Sequence, residues 1–495
     1  MFSPAMYGVA DHTSVHEGDL LWAPSLEWIE RTQLTAFTRW AEERTGRIFA
    51  NYAALWTWST AEIDEFWQAI WDFFDVRSSA PHTAVLEDRA MPGVRWFLGA
   101  RLNYAEHVLR QERAGEPALL YLDETEPVRK LPWEEFGRQV RRVATYLPER
   151  SGTPGDRVVA HLPNIPEPVV AMVATASIGG VWAGVSPDFG TRGALDRPGQ
   201  LEPTVLVAAD GYRYGGRDFD RWREVAEIVA GLPALRVVVQ VSMFGTWDGE
   251  QGTSWTHVLA GPAVPSAGFE CEQVAFDHPL WVLCSSGTTG LSKAIVQGHG
   301  GILLVQLKLQ SFRLDLQAGD RAFFSTTTGW MMRHFLVSML LVGAVPVPYD
   351  GNPAHPNVDV LWRAAQDSRA RLFGASPQFR RADAEGRGRP EGPLRPQCPR
   401  DGHARRVARV TGDHRVVLRQ GQGRPPDRHR QRRNGLLHRV CRRRVDAPSP
   451  RWRDPGPVAR SARRGLGRHR SQRRRSGGRA GDHRPDALHA RLPVE

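Results

Sequence analysis

Along residues 59–74, STAEIDEFWQAIWDFF, apolar side chains recur every three or four positions at Ile63, Phe66, Trp67, Ile70, Trp71 and Phe74. That spacing predicts a helix with these six on its core face, and Ser59 with Glu62 reads as a capping box at its start. Residues 1–85 are rich in tryptophan and helical in pattern throughout. A second short helix is expected in RLNYAEHVLR, residues 101–110.

From residue 131 the period alternates. LPWEEFGRQVRRVATYL carries helical spacing at Phe136, Val140, Val143 and Leu147, and DRVVAHL then reads as a strand. A buried helix over 167–178 leads to a strand over Val181–Val185. Further strands are expected at TVLVAA, LRVVVQV and PLWVLC, and the pattern runs on through GILLVQLKLQSF, RHFLVSMLLVG, AVPVPYDG and RLFGASP. Alternation of this kind predicts an α/β fold, a mostly parallel sheet covered by helices. The most apolar run, residues 169–185, is interrupted by Thr175, Ser177 and two glycines, so it reads as core rather than as a membrane span.

After Phe379 the pattern stops. Residues 380–495 contain 33 Arg, no Lys and 11 acidic residues, and lack Phe, Tyr, Ile and Met. The overall net charge of +11 therefore averages an acidic body with a strongly basic tail. Without periodic apolar positions the tail cannot offset its ordering entropy by burial, and disorder is expected. Two readings stand. One is a basic arm that meets nucleic-acid phosphates nonspecifically. The other is out-of-frame translation of GC-rich coding sequence, whose codons give mainly Arg, Gly, Pro and Ala. The organisation is thus expected as 1–85, a helical N-terminal region; 86–379, the α/β body; and 380–495, the arginine-rich tail.

No secretory signal opens the chain, and its four cysteines have neither metal-ligand nor disulfide spacing, so a reducing, cytoplasmic setting is expected. One stretch carries chemistry. After the strand PLWVLC comes SSGTTGLSK, in which Gly287 and Gly290 let backbone amides approach an anion. The hydroxyls of Ser285, Ser286, Thr288 and Thr289 can donate to phosphate oxygens, and Lys293 adds a positive charge. A solvated turn is the alternative for a generic run of this composition.

The whole string resembles the phosphate loop of the acyl-adenylate-forming superfamily. GARLNYAEHVL, LPNIPEPVVAMVATASIGGVWAGVSPDFG, TTTGWMM and YDGNPAHP resemble its acetoacetyl-CoA synthetase branch, as does the opening LWAPSLEWIERTQLTAFTRW. The likeness covers about residues 15–379. It implies the large N-terminal domain of that fold, beginning with an acetyl-CoA-synthetase-like region. It implies a ligase using ATP, Mg²⁺ and coenzyme A: the carboxylate of acetoacetate attacks the α-phosphate of ATP, and the thiol of coenzyme A then displaces AMP. By this resemblance Ser285, Ser286, Gly287, Thr288, Thr289, Gly290 and Lys293 hold the ATP phosphates. Thr327, Thr328, Gly329 and Trp330 help form the acyl pocket, with core packing as the other reading of Trp330 and its methionines. Arg213 and Arg217 of ADGYRYGGR match the coenzyme A arginines, although a surface loop accounts for them equally. Ser186–Gly190 passes near the same ligand.

The departures are specific. Ser292 stands where proline usually precedes the lysine, and Arg333-His334 stand where the family has Trp-Asn, which puts acid selectivity in question. Beyond FGASPQF the expected Thr-Glu or Thr-Asp motif, ribose-binding aspartate and adenylation lysine are not recognisable. VTGDH at 410–414 has the letters of the ribose motif without flanking strands. No catalytic residue can be named, and an incomplete, inactive ligase is expected. A ligase for acetate, propionate or butyrate, or a nucleic-acid-binding protein on a disused ligase body, are the alternatives.

Overall fold

A computed structural model of the chain describes residues 23–148, 154–245, 252–262, 264–285 and 292–376, together with Phe379 and Arg406–Val407. Apart from Ala23 and Asn51–Ala53, these belong to one compact unit. Residues 410–414 lie outside the described residues, and Arg406–Val407 alone is described within 380–495.

After a short helix, Leu26–Glu30, the N-terminal helices are α1 (Gln33–Thr45), α2 (Tyr52–Ala61) and α3 (Ile63–Phe73). Phe66, Ile70 and Trp71 of α3 are buried, and Trp67 and Phe74 pack against the same core, as the periodicity predicts. The capping box is not there. Ser59 lies inside α2, where its hydroxyl donates to the Trp56 carbonyl, and Glu62, which precedes α3, makes no side-chain cap. Helix α2 runs three residues further than the cap signal allows, so the serine meets its own helix first.

Helix α4 (Tyr104–Leu109) is capped by Asn103. It is followed by α5 (Trp133–Tyr146) and α6 (Glu167–Ser177). Every residue of α6 after Glu167 is buried, as its largely apolar composition requires, and the hydroxyls of Thr175 and Ser177 donate back to the Ala171 and Ala174 carbonyls. No described helix is long and apolar enough to cross a membrane.

The central sheet is built from β1 (Arg157–His161), β2 (Val181–Val185), β3 (Val205–Ala209), β4 (Val237–Val241), β5 (Pro279–Cys284) and β6 (Ala294–Gly298). Its order is Thr253–Ser254, β4, β3, β1, β2, β5, β6. All neighbours are parallel except β5 and β6, which form an antiparallel hairpin. Helices α5 and α6 contribute to the core on one face, and Val225 and Ile228 of the helix Trp222–Ala230 to the core on the other. This double cover explains why the parallel strands are apolar at nearly every position.

A second parallel sheet places β7 (Arg321–Phe324) between β8 (Val345–Val347) and β9 (Leu372–Gly374), with Arg406–Val407 beside β9. Helix α7 (His299–Lys308) leads into a π-turn, and α8 (Met331–Val337) follows β7. The parallel pairing of β1, β2 and β5 brings their C-terminal ends to one edge of the central sheet, the place where open α/β sheets present ligand-binding loops.

Candidate functional site

The serine- and glycine-rich loop spans the tip of the β5–β6 hairpin. Its base is closed by two bonds: Ser285 N–H donates to the Lys293 carbonyl at 2.9 Å, and Lys293 N–H donates to Ser285 Oγ at 3.0 Å. Ser286, Gly287, Thr288, Thr289 and Gly290 lie outside the described residues. Ser285 thus serves the loop's own base, and Lys293 is exposed beside it. The Ser292 carbonyl is held by Gln200 Nε2 at 3.2 Å.

The segment Thr327–Trp330 is pressed against the same sheet edge. Thr328 Oγ1 donates to the Leu162 carbonyl at 2.8 Å, just past β1. At Gly184 in β2 a Cβ would sit 2.8 Å from the Thr328 carbonyl oxygen, and at Gly329 a Cβ would sit 2.7 Å from the Phe189 ring. Glycine at both places lets two backbones meet, so the structure brings Ser186–Gly190 and Thr327–Trp330 together. Trp330 and Met331 are about half exposed, at 47% and 50%, which rules out plain core packing for these two. Thr327 Oγ1 is buried with no hydrogen-bond partner.

A substitution tests this approach. Gly184→Ala should destabilise the fold by about 1–3 kcal/mol, the range for overpacking a closed site. Gly329→Ala should cost less, because the Phe189 ring can turn where the Thr328 carbonyl cannot. Urea unfolding of both variants checks the order, and equal losses would sink it.

Behind this segment, Arg333 and His334 at the start of α8 point inward and are almost wholly buried. Burial pulls the Arg333 guanidinium down to about 10 and His334 down to about 4. Asp350 is pushed up to about 6 by burial, with the charges of Asp123 and Glu124 adding to the shift. Asn164, in the loop after β1, joins the two sheets. Its N–H donates to Asp350 Oδ1 at 2.8 Å, and its amide Nδ2 donates to the Thr326 and Tyr349 carbonyls at 3.1 and 2.9 Å.

The two arginines matched to coenzyme A fall on a hairpin, Gly211–Tyr214 with Arg217–Asp220. Arg213 is engaged by Asp218 through two bonds of 2.5 and 2.8 Å, whereas Arg217 is exposed. The carboxylate of Glu124 fixes the hairpin's tip, accepting from the N–H groups of Gly215 and Gly216 at 2.7 Å each and from Asn352 at 2.6 Å.

Asn164 and Glu124 were not singled out by sequence reasoning. The available signal for Asn164 was its place directly after a central parallel strand. Glu124 offered none, since its partners lie about ninety and more than two hundred residues away.

Comparisons with known proteins agree with this architecture. The profile described as AMP-binding enzyme matches residues 106–431, and that described as Acetyl-coenzyme A synthetase N-terminus matches residues 52–108. The chain is 39% identical over 364 residues to an acetoacetyl-coenzyme A synthetase of Rhizobium meliloti (strain 1021), covering 72% of this chain and 55% of that protein. It is 35% identical over 350 residues to the malonamoyl-CoA synthetase vrtB of Penicillium aethiopicum, covering 68% of this chain and 48% of that protein. Among solved structures, an acetoacetyl-CoA synthetase from Streptomyces lividans matches with a TM-score of 0.71 and 49% identity over 74% of this chain and 56% of that one. The chain spans about half the length of the curated relatives it matches. With the AMP-binding match extending over well more than half of its residues, the chain belongs to the AMP-binding enzyme family.

Proposed function

We propose that this chain carries the phosphate and acid sides of an ATP-dependent ligase that joins acetoacetate to coenzyme A through an acyl-adenylate. The observation that carries the reading is that the Thr327–Trp330 segment packs on the ends of β1 and β2, at the sheet edge from which the β5–β6 loop also leaves. Acid and triphosphate must approach one another for carboxylate attack on the α-phosphate, and holding two reactants in line supplies most of what such a step needs. Lys293 is exposed beside the loop base, and in this reading its charge neutralises phosphate. The half-exposed Trp330 offers an apolar wall to a short acyl chain.

Enzymes of this family use ATP, Mg²⁺ and coenzyme A. No group of three or more His, Cys, Asp or Glu side chains among the described residues could hold a metal ion. Mg²⁺ therefore finds no dedicated cage among the described residues. The coenzyme A reading rests on Arg217, because Arg213 is held by Asp218. The acids in the names of the two relatives share a feature that favours acetoacetate over butyrate: each bears a carbonyl oxygen on its third carbon. With the adenine, ribose and lysine motifs unrecognised after residue 379, turnover by this polypeptide alone is not expected.

Titration calorimetry with Mg·ATP tests the reading, alongside an assay of acid-dependent pyrophosphate release. Wild-type chain should bind the nucleotide, and Lys293→Ala should weaken binding about tenfold, the loss of one charge-assisted contact. Pyrophosphate should stay at background. Absence of nucleotide binding overturns the proposal, and acetoacetate-dependent release overturns the expectation of inactivity.

A further inference from the structure

Arg333 is 4% exposed, yet its charge has almost no partner. Nη2 reaches the Ile165 carbonyl at a long 3.4 Å, and Nε is buried with no hydrogen bond. No carboxylate among the described residues lies within ion-pair distance of it. Asp350 acts on it only from further away and is itself held toward the protonated form. A lone buried guanidinium is costly, and it carries five donors with no acceptor of its own.

The space that Arg333 faces is a narrow cavity lined also by Met172, Trp182, Gly184, Thr328 and His334. It has room for no more than about one water-sized group. His334 Nε2, on the same wall, is buried and unpartnered too. The cavity lies directly behind Thr328, in the segment that meets Ser186–Gly190.

We propose that Arg333 selects short-chain acids carrying a second oxygen function on the third carbon, as a β-keto or β-carboxylate group does. This rests on the acid-pocket reading of Thr327–Trp330. The cavity is too small for a whole acyl group and large enough for one oxygen, which the guanidinium can meet with N–H donors. A third carbon without oxygen, as in butyrate, would leave the charge buried and unpaired. Sites built to hydrogen-bond a group reject analogues lacking it far more strongly than apolar pockets reject a change in size. Arg333 thereby pairs with its missing partner only when the right acid is bound.

The test is saturation-transfer NMR on the full chain with acetoacetate, malonate and butyrate, together with melting temperatures without ligand. Acetoacetate and malonate should bind at least about tenfold more tightly than butyrate, the value of one charge-assisted hydrogen bond. Malonate binding more tightly than acetoacetate would point to charge pairing, and the reverse order to a keto oxygen; either supports the shared chemistry. In Arg333→Leu the three acids should fall within about twofold of one another while the ligand-free melting temperature rises, because an unpaired charge has been removed. Should the leucine variant not fold, Arg333→Gln gives the same reading of selectivity. A lowered melting temperature with selectivity intact makes Arg333 a structural residue and overturns the inference. Equal binding of all three acids to wild type overturns it too, leaving the acid pocket standing. Failure of every acid to bind overturns both.

Discussion

Lowering the pH from 7.5 to 5 should strip this protein of several kcal/mol of stability, because four buried histidines refuse protons that the unfolded chain accepts. Burial is the largest cause in each case. It holds His107, His161 and His334 down to about 4 and His299 down to about 3, against an ordinary value of 6.5. Hydrogen bonding adds a reason at two of them. His107 Nε2 accepts the Arg77 N–H at 2.9 Å, and His299 Nδ1 accepts the Tyr104 N–H at 3.2 Å, so protonating those nitrogens would break a bond already made.

The folded pKa values lie below the unfolded one, so the two states match above about pH 7. Below 6.5 the unfolded chain gains up to four protons that the folded chain does not bind. Stability therefore falls as the pH drops from 6.5 toward 4 and levels off only as the folded histidines titrate. Each contributes about 1.4 kcal/mol per pH unit in that window. Asp350 opposes them. Its carboxyl, pushed up to about 6, binds a proton in the folded state before it does in the unfolded one and returns about one histidine's worth between pH 6 and 4. The net loss at pH 5 is on the order of 5 kcal/mol, comparable with the whole stability of a typical domain.

Denaturant unfolding across pH 4.5–8 measures this directly. His161 gives the cleanest single test, since both of its ring nitrogens are buried and unpartnered. His161→Phe should flatten the acid limb by about one proton. An unfolding free energy that stays level down to pH 5 would remove the basis of the prediction.

What the amino-acid pattern reveals and what it hides divide by distance along the chain. Helix α5 and the buried α6 were legible because their periodicity is local and their composition leaves no other face to bury. The strands β1 to β5 were legible for the same reason. Ser59 misled because a cap signal says nothing about where the preceding helix stops. The loop signature was legible as residues 285–293, and so was the departure at Arg333-His334. That those two side chains turn into the core was not, since it depends on β1 and β2 lying against α8. Gly184 is the sharpest case. Within VWAGV it looks like a weak spot in a strand, and only the approach of Thr328 from the second sheet explains it.

Asn103 illustrates the same lesson in one of the stretches that resemble the family, and its replacement should have the second large effect. It is fully buried in LNYAEH and makes three short bonds. Oδ1 accepts the Ala105 N–H at 2.8 Å and caps α4, while Nδ2 donates to the Ala176 carbonyl at 2.8 Å and the Glu272 carbonyl at 2.7 Å. One amide thus fastens α4 to the end of α6 and to the segment leading into β5. Asn103→Ala removes a cap worth about 1 kcal/mol and strips a buried donor from two carbonyls at roughly 1–3 kcal/mol each, a loss on the order of 4 kcal/mol. Asn103→Asp separates the two roles. The carboxylate keeps the cap but faces both carbonyls with negative charge in a site closed to water, so it should be the worse of the two. Equilibrium unfolding near pH 7.5, where the histidines are neutral in both states, isolates the effect. An aspartate variant as stable as wild type would mean that the cap alone matters and that the clasp on α6 contributes nothing. The expected ranking, aspartate below alanine, would make this asparagine a tie between three elements, α4, the end of α6 and the segment leading into β5.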